Sequence, residues 1–270
     1  MIRTIVAFLV LALVTGGVLV VLFRQPSNEK TWKDYLAVPT NVTFSEDGES
    51  VTLSSVRDWT YNEEEAVSRT YVDRTYDLGS VSGLWFVVEP FPDMPSFGHT
   101  LLVFEFTDAP PIAFSVEALL EEGENYSAWK GLFNEYELAY TWGTERDFLT
   151  RRAVMLGHEI YRYQLAVSPE VAREVFVSFL KGTQTLAERP VFYNTLLHNC
   201  TNELAHLINE RTPGALPWDW SRVFTGTADQ YLYKLGYITG SSFKEAQAAA
   251  RITERVRELS LDPAFSEKLR

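Results

Sequence analysis

Cysteine is almost missing from this chain: Cys200 is the only one in 270 residues. No disulfide can therefore close within the chain, and a zinc site built on paired cysteines is excluded. Histidine is scarce, with four. No His-Glu-x-x-His spacing or dense carboxylate cluster offers ligands to a metal, so no metal and no cofactor is expected. The glycine motifs that cradle phosphates are lacking as well: there is no Walker loop, no Gly-x-Gly-x-x-Gly and no Gly-x-Ser-x-Gly elbow. Basic residues are outnumbered, 24 Lys and Arg against 36 Asp and Glu, for a net charge of −12. That balance argues against nucleic acid, whose phosphates require clustered Lys and Arg. It also argues against electrostatic docking on anionic lipid.

Apolar residues are plentiful. A hydrophobic content of 46% with 14% aromatics supports a well-filled core and rules out disorder by composition. One run stands apart: Thr4 to Phe23 carries no charge and is bounded by Arg3 and Arg24. A helix of that length, at about 1.5 Å per residue, spans about 30 Å of hydrocarbon. A cleaved signal peptide would have a shorter apolar region ending in a small-x-small site, whereas here the run continues past Thr15-Gly16-Gly17 through Val18 to Phe23. The expected organisation is a transmembrane anchor at 1–24, a main domain at 25–240 and a charged helical tail at 241–270, solvated or partner-facing. Charge alone leaves the anchor's orientation close to a tie, since Arg3 and the amino terminus oppose Arg24 and Lys30.

The pattern along the chain predicts an α+β fold. Val51 to Trp59, Leu84 to Val88, His99 to Phe106, Ile112 to Glu117 and Glu159 to Val167 read as strands. The third has almost no polar break, as expected of a central strand, and with the fourth it forms a hairpin. Glu89 to Ser96 holds three prolines and is expected to be irregular. Helices are expected at 144–156, from Ser168-Pro169-Glu170 to about Leu180, from Cys200 to Arg211, and over 228–235. The charged set Glu145, Asp147 and Arg151 reads as structural, with a headgroup site as the alternative.

Candidate chemistry centres on Cys200. Cys200, Leu204, Leu207 and Ile208 share one face of a 3.6-residue period, which puts the sulfur in a helix's first turn. Free N–H groups and the positive end of the helix dipole favour a thiolate there. The plainer alternative is a small buried hydrophobe. Among the histidines, His206 projects off the cysteine face, His198 precedes the helix, and His158 sits at a helix-to-strand junction. His99 begins the strongest strand, where a base is held rigidly. Glu117 is placed to orient it: any hairpin register with an even sum of facing residue numbers puts both side chains on one sheet face. A strand end pointing to water is the alternative for Glu117.

Gly98-His99-Thr100, Ser115-Val116-Glu117-Ala118, the spaced Glu145, Asp147 and Arg151, Tyr193-Asn194-Thr195, Asn199-Cys200-Thr201 and Asp229 to Gly236 occur in an order that resembles the N-terminal periplasmic domain of the lipoprotein N-acyltransferase Lnb. The similarity spans roughly Trp32 to Tyr237. Histidine first and cysteine later also resembles permuted NlpC/P60-type, papain-like thiol enzymes, in which Asn-Cys opens a helix packed on a small antiparallel sheet. Together with the single anchor read at 1–24, the resemblance implies an inner-membrane protein, single-pass here, with its main domain in the periplasm, acting on a membrane lipid or lipoprotein. It further implies Cys200 as nucleophile, His99 as base and acid, Glu117 as orienting group, and Tyr193, Asn194 and Asn199 as substrate-binding positions. Three functions stay open from sequence: an acyltransferase working through an acyl-enzyme, a cell-wall cysteine peptidase or amidase, and a non-catalytic envelope protein.

Overall fold

The computed structural model describes residues 24–270. The expected anchor falls on residues outside that range; among the described residues no helix is long and apolar enough to cross a membrane. Nine strands are described: β1 (Asn41–Phe44), β2 (Ser50–Tyr61), β3 (Ala66–Asp77), β4 (Val81–Phe91), β5 (Met94–Phe106), β6 (Ile112–Leu119), β7 (Tyr136–Thr144), β8 (Tyr161–Gln164) and β9 (Phe192–Tyr193). They form one sheet in the order β1-β2-β7-β6-β5-β4-β8, with β3 on β2 and β9 on β7. Pairing is antiparallel apart from one parallel bridge, Arg57↔Gly143. The helices are α1 (Ala128–Leu132), α2 (Glu145–Thr150, continued by a π turn over Arg151–Met155), α3 (Pro169–Glu188), α4 (Cys200–Arg211), α5 (Ala228–Lys234), α6 (Phe243–Ala250), α7 (Thr253–Leu259) and α8 (Phe265–Leu269). The class is α+β, as the pattern predicts, although the sheet is larger than the small one the resemblance implies.

The unbroken apolarity of β5 has the expected cause, since the strand is covered on both faces. Leu102 and Phe104 join Phe114 of β6 against Phe176 and Phe179 of α3 and Leu204 of α4. The Phe104–Phe176 and Phe114–Phe179 ring centroids lie 4.9 and 4.6 Å apart, within the range where aromatic pairs add to area burial. Leu101 and Val103 face the other way, onto Phe148 and Leu149 of α2 and onto Val256, Leu259, Phe265 and Leu269. The stretch 241–270 is thus helical but not solvated. Its apolar residues recur at helical spacing and cover a sheet face that would otherwise stay exposed.

The three-proline segment also departs from expectation, because β4 runs through Pro90 to Phe91 and β5 restarts at Met94. β8 pairs β4 only from Trp85 to Val88, and β6 pairs β5 only from Leu101 to Phe104. Beyond those limits each strand has one unpaired edge, where a residue without an N–H is tolerated. The irregularity that remains is a register shift between Pro90 and Phe91.

The α3 cap follows its sequence signal, and α4 carries a cap as well. Ser168 accepts from the Val171 N–H with Pro169 at the first turn of α3, and Asn199 accepts from the Asn202 N–H at the start of α4. Glu145 and Asp147 are fully buried. Asp147 takes two bonds from Arg57 Nε at 3.1 and 2.9 Å, one from Arg57 Nη2 at 2.9 Å, one from the Trp59 N–H at 2.8 Å and one from the Tyr61 hydroxyl at 3.0 Å. Glu145 pairs with Arg162 at 2.7 Å and Arg270 at 2.9 Å. Both carboxylates therefore lock β2, β8 and the C-terminus around α2. Asp147→Ala strands Arg57 as a buried charge, and we expect it to lower unfolding stability by about 3–5 kcal/mol, measurable by urea titration.

Candidate active site

The β5–β6 register decides whether two of the proposed side chains meet. Leu101 faces Ser115 and Phe104 faces Ile112, so the same register continued outward sets His99 opposite Glu117. Their side chains do meet, with His99 Nε2 and Glu117 Oε1 3.4 Å apart. Ser115, two residues before Glu117 and hence on the same face, bridges them. Its Oγ lies 2.6 Å from His99 Nε2 and donates to Glu117 Oε1 at 2.6 Å. A hydroxyl that donates to the carboxylate accepts from the ring, so Nε2 carries a hydrogen and Nδ1 is the nitrogen left for the sulfur.

Cys200 reaches this pair from α4. It is 5% exposed, with Sγ 3.9 Å from the Gly98 carbonyl and 3.9 Å from Thr201 Oγ1. Gly98 is required just before the histidine, since a Cβ there would stand 2.6 Å from the Glu89 carbonyl on β4. Thr225, far on in sequence, fixes the same residue from outside: its Oγ1 accepts from the Gly98 N–H at 3.0 Å and donates to the Gly98 carbonyl at 2.6 Å. The N–H groups of Cys200 and Thr201, at the first two positions of α4, have no acceptor within the helix. Unpaired N–H groups at a helix start are donors of the kind that can hold charge developing on a carbonyl oxygen.

Electrostatics couple the three groups. Burial pushes the Cys200 thiol up, but hydrogen bonding to His99, the imidazolium charge and Thr100 together outweigh it and hold the thiol below its ordinary value. Burial also disfavours a charged His99, yet the Glu117 carboxylate, aided by hydrogen bonds to Cys200 and Glu117, raises the imidazole to about 10. Glu117 itself, despite burial, is held well below the usual carboxylate range by His99, Arg152 and Arg151. The arrangement favours a thiolate–imidazolium pair beside a carboxylate at neutral pH.

Behind this pair lies a second layer that sequence reasoning missed. Arg152, 2% exposed, sets Nη2 3.3 Å from Glu117 Oε1 and Nε 2.8 Å from Glu89 Oε2, the latter with its N–H off the line to the oxygen. Glu89 accepts from His158 Nδ1 at 2.6 Å. Glu89 and His99 face each other across β4 and β5, so a cross-strand reading of the hairpin was the available signal for Glu89. Arg152 and His158 carried none. Among the described residues no three His, Cys, Asp or Glu side chains converge as metal ligands.

The remaining sequence candidates divide. Tyr193 is buried, bonds to the Tyr126 hydroxyl at 3.1 Å and lines the cavity that holds Cys200. Asn199 also borders that cavity, but its amide donates to the Thr195 and Arg222 carbonyls at 2.8 and 2.7 Å. Asn194 lies off the cavity and braces the loop through Leu132, Asn134, Leu196 and Leu197. His198 and His206 pair with Glu203 and Glu210 on α4, away from the thiol.

The cavity measures about 550 Å³, contains His99, Glu117 and Cys200, and is walled mainly by apolar side chains such as Phe91, Phe97, Leu120 and Val223. A second cavity of about 380 Å³ lies on the other flank of α4. No carboxylate, histidine or thiol lines it, so the chemistry belongs to the first. Against known proteins, the family model described as the Lnb N-terminal periplasmic domain matches residues 68–226. No curated protein and no solved structure matches the chain.

Proposed function

The chain belongs to the family of the Lnb N-terminal periplasmic domain, and from that premise we propose that it is a thiol acyltransferase. It moves a fatty acyl group from a lipid ester to an amine, such as the N-terminal amine of a lipoprotein, on a permuted papain-like framework anchored in the inner membrane. The family places the main domain in the periplasm. The observation that carries the reading is the Cys200–His99–Glu117 constellation in a largely apolar cavity.

The Cys200 thiolate attacks the ester carbonyl carbon, forming the C–S bond. The N–H groups of Cys200 and Thr201 hold the resulting oxyanion. As the C–O bond breaks, His99 delivers its proton to the departing alkoxide and leaves a thioester. The acceptor amine then attacks that thioester. His99 takes its proton, the C–N bond forms, and the C–S bond breaks to regenerate the thiolate. Glu117 keeps the imidazolium charged and aimed, with Ser115 and Arg152 fixing the carboxylate.

Incubating the full chain with a phospholipid and no acceptor, then weighing it intact, tests the reading. An added acyl mass on Cys200 supports it. A peptide fragment on Cys200 after incubation with cell-wall peptide, and none from lipid, would mean an amidase instead.

The pH profile follows from the same charges. The working form needs His99 protonated and Cys200 ionised. Activity should therefore rise with Cys200 ionisation below the ordinary thiol range, stay level, and fall as His99 loses its proton near about 10. Removing the carboxylate removes what raises the histidine, so Glu117→Gln should move the alkaline limb downward. These limbs belong to the coupled pair, and kcat/KM measured across pH in both proteins checks them.

A further inference from the structure

Three chain segments that border the cavity, through Ala128, Thr195 and Val223, carry large apolar side chains out into solvent. Trp129 and Phe133 belong to α1 and the turn after it, Leu197 to the loop before Cys200, and Trp218, Trp220 and Phe224 to the loop before α5. Their exposures run from 38% for Phe224 to 69% for Trp129 and Leu197. Asparagines and a threonine stitch the segments together. Thr195 Oγ1 donates to the Ala128 carbonyl at 2.7 Å, Asn194 Nδ2 to the Leu132 carbonyl at 3.2 Å, and Asn202 Nδ2 to the Leu196 and Arg222 carbonyls at 2.7 and 3.3 Å. Within the patch the Trp218–Trp220 and Trp129–Phe133 ring centroids are 5.1 and 5.3 Å apart, and Phe224 packs on the cavity-lining Phe97 at 5.5 Å. Soluble surfaces rarely gather this much contiguous apolar area without a use for it.

The occupant is indicated by where the chain comes from. Arg24 directly follows the uncharged run 4–23 and pairs with Glu135 at 2.7 Å. Glu135 is two residues past Phe133, so Arg24, the first described residue after that run, is tied next to the α1 end of the exposed aromatics. Among the described residues, the indole N–H groups of Trp129, Trp218 and Trp220 are exposed and make no protein hydrogen bond; those of Trp32, Trp85 and Trp142 do, and that of Trp59 is unpaired but buried. An apolar ring with a free N–H suits the bilayer interface, where one end meets chains and the other meets water. We infer that this rim is a lipid-docking surface that seats this side of the cavity in the membrane interface. With a net charge of −12, docking rests on apolar insertion, so zwitterionic lipid suffices and salt does not release it.

The test uses the full chain in phosphatidylcholine vesicles with brominated acyl chains, which quench only tryptophans in contact with them. A triple variant, Trp129→Phe, Trp218→Phe and Trp220→Phe, keeps the surface apolar at exposed positions and leaves the fold intact. The rim predicts that bromolipid quenching falls at least twofold in the triple variant. It also predicts that the wild-type quench persists at 1 M salt, where the Debye length is only about 3 Å. Equal quenching in wild type and triple variant would overturn the inference. So would quenching that falls as protein concentration rises at a fixed, saturating lipid concentration, which indicates that a second copy covers the rim. Because no turnover is read, Cys200→Ala should be quenched like the wild type, and the rim stands or falls apart from the acyl-transfer reading.

Discussion

On the proposed mechanism, Cys200→Ala is expected to lower acyl transfer by about 10⁴-fold or more and to abolish the covalent acyl adduct. In that mechanism the sulfur forms the bond on which both half-reactions depend, and removing the nucleophile of a catalytic triad leaves only the contribution of oxyanion donors and binding. The fold should survive. Cys200 packs among apolar neighbours in the larger core, and losing one sulfur there costs about 1 kcal/mol on the scale of a small core truncation. Near-native thermal unfolding together with lost turnover separates a catalytic role from a merely structural one. Unchanged turnover with acyl donors would remove Cys200 from the mechanism.

His99→Ala is expected to have the second large effect, a loss of about 10³–10⁴-fold in kcat on the proposed mechanism, and to change the sulfur as well as the proton transfer. Cys200 is buried, and burial alone pushes its thiol up; hydrogen bonding to His99 and the imidazolium charge are the leading influences that bring it down. Without the ring the thiol should return to the ordinary range or above it. Glu117 would then face Arg152 at 3.3 Å with no histidine to orient. A variant with weak turnover and a poorly reactive thiol is the expected pair of results. Weak turnover with an unchanged thiol would mean that His99 transfers protons but does not ionise the cysteine.

Much of this was legible in the residues. The unbroken run Leu101 to Phe104 announced a central strand, and hairpin parity brought His99 and Glu117 to one face, because alternation along a strand is fixed by backbone geometry. The period of Cys200, Leu204, Leu207 and Ile208 located the start of α4. What stayed hidden was mostly distant pairing. Arg152 reaches Glu117 and Glu89 only once a π turn has continued α2, and Thr225 reaches Gly98 across 127 positions. No local period encodes either contact. Chain 241–270 misled for another reason. Its charges are real, but Val256, Leu259, Phe265 and Leu269 find an uncovered sheet face that only the assembled sheet presents. β3 was missed because its side chains are largely polar and half-exposed, which leaves a weak apolar alternation to read.

The central claim is that His99 and Glu117 hold Cys200 as a thiolate, and its most direct measurement needs no substrate. The rate of Cys200 alkylation by iodoacetamide, followed against pH in the full chain and in His99→Ala, reports ionisation of the only thiol present. The account predicts an inflection below the ordinary cysteine value of about 8.5 in the wild type, and a displacement of that inflection to higher pH in the variant. Coincident curves rising at or above the ordinary thiol value in both proteins would contradict it.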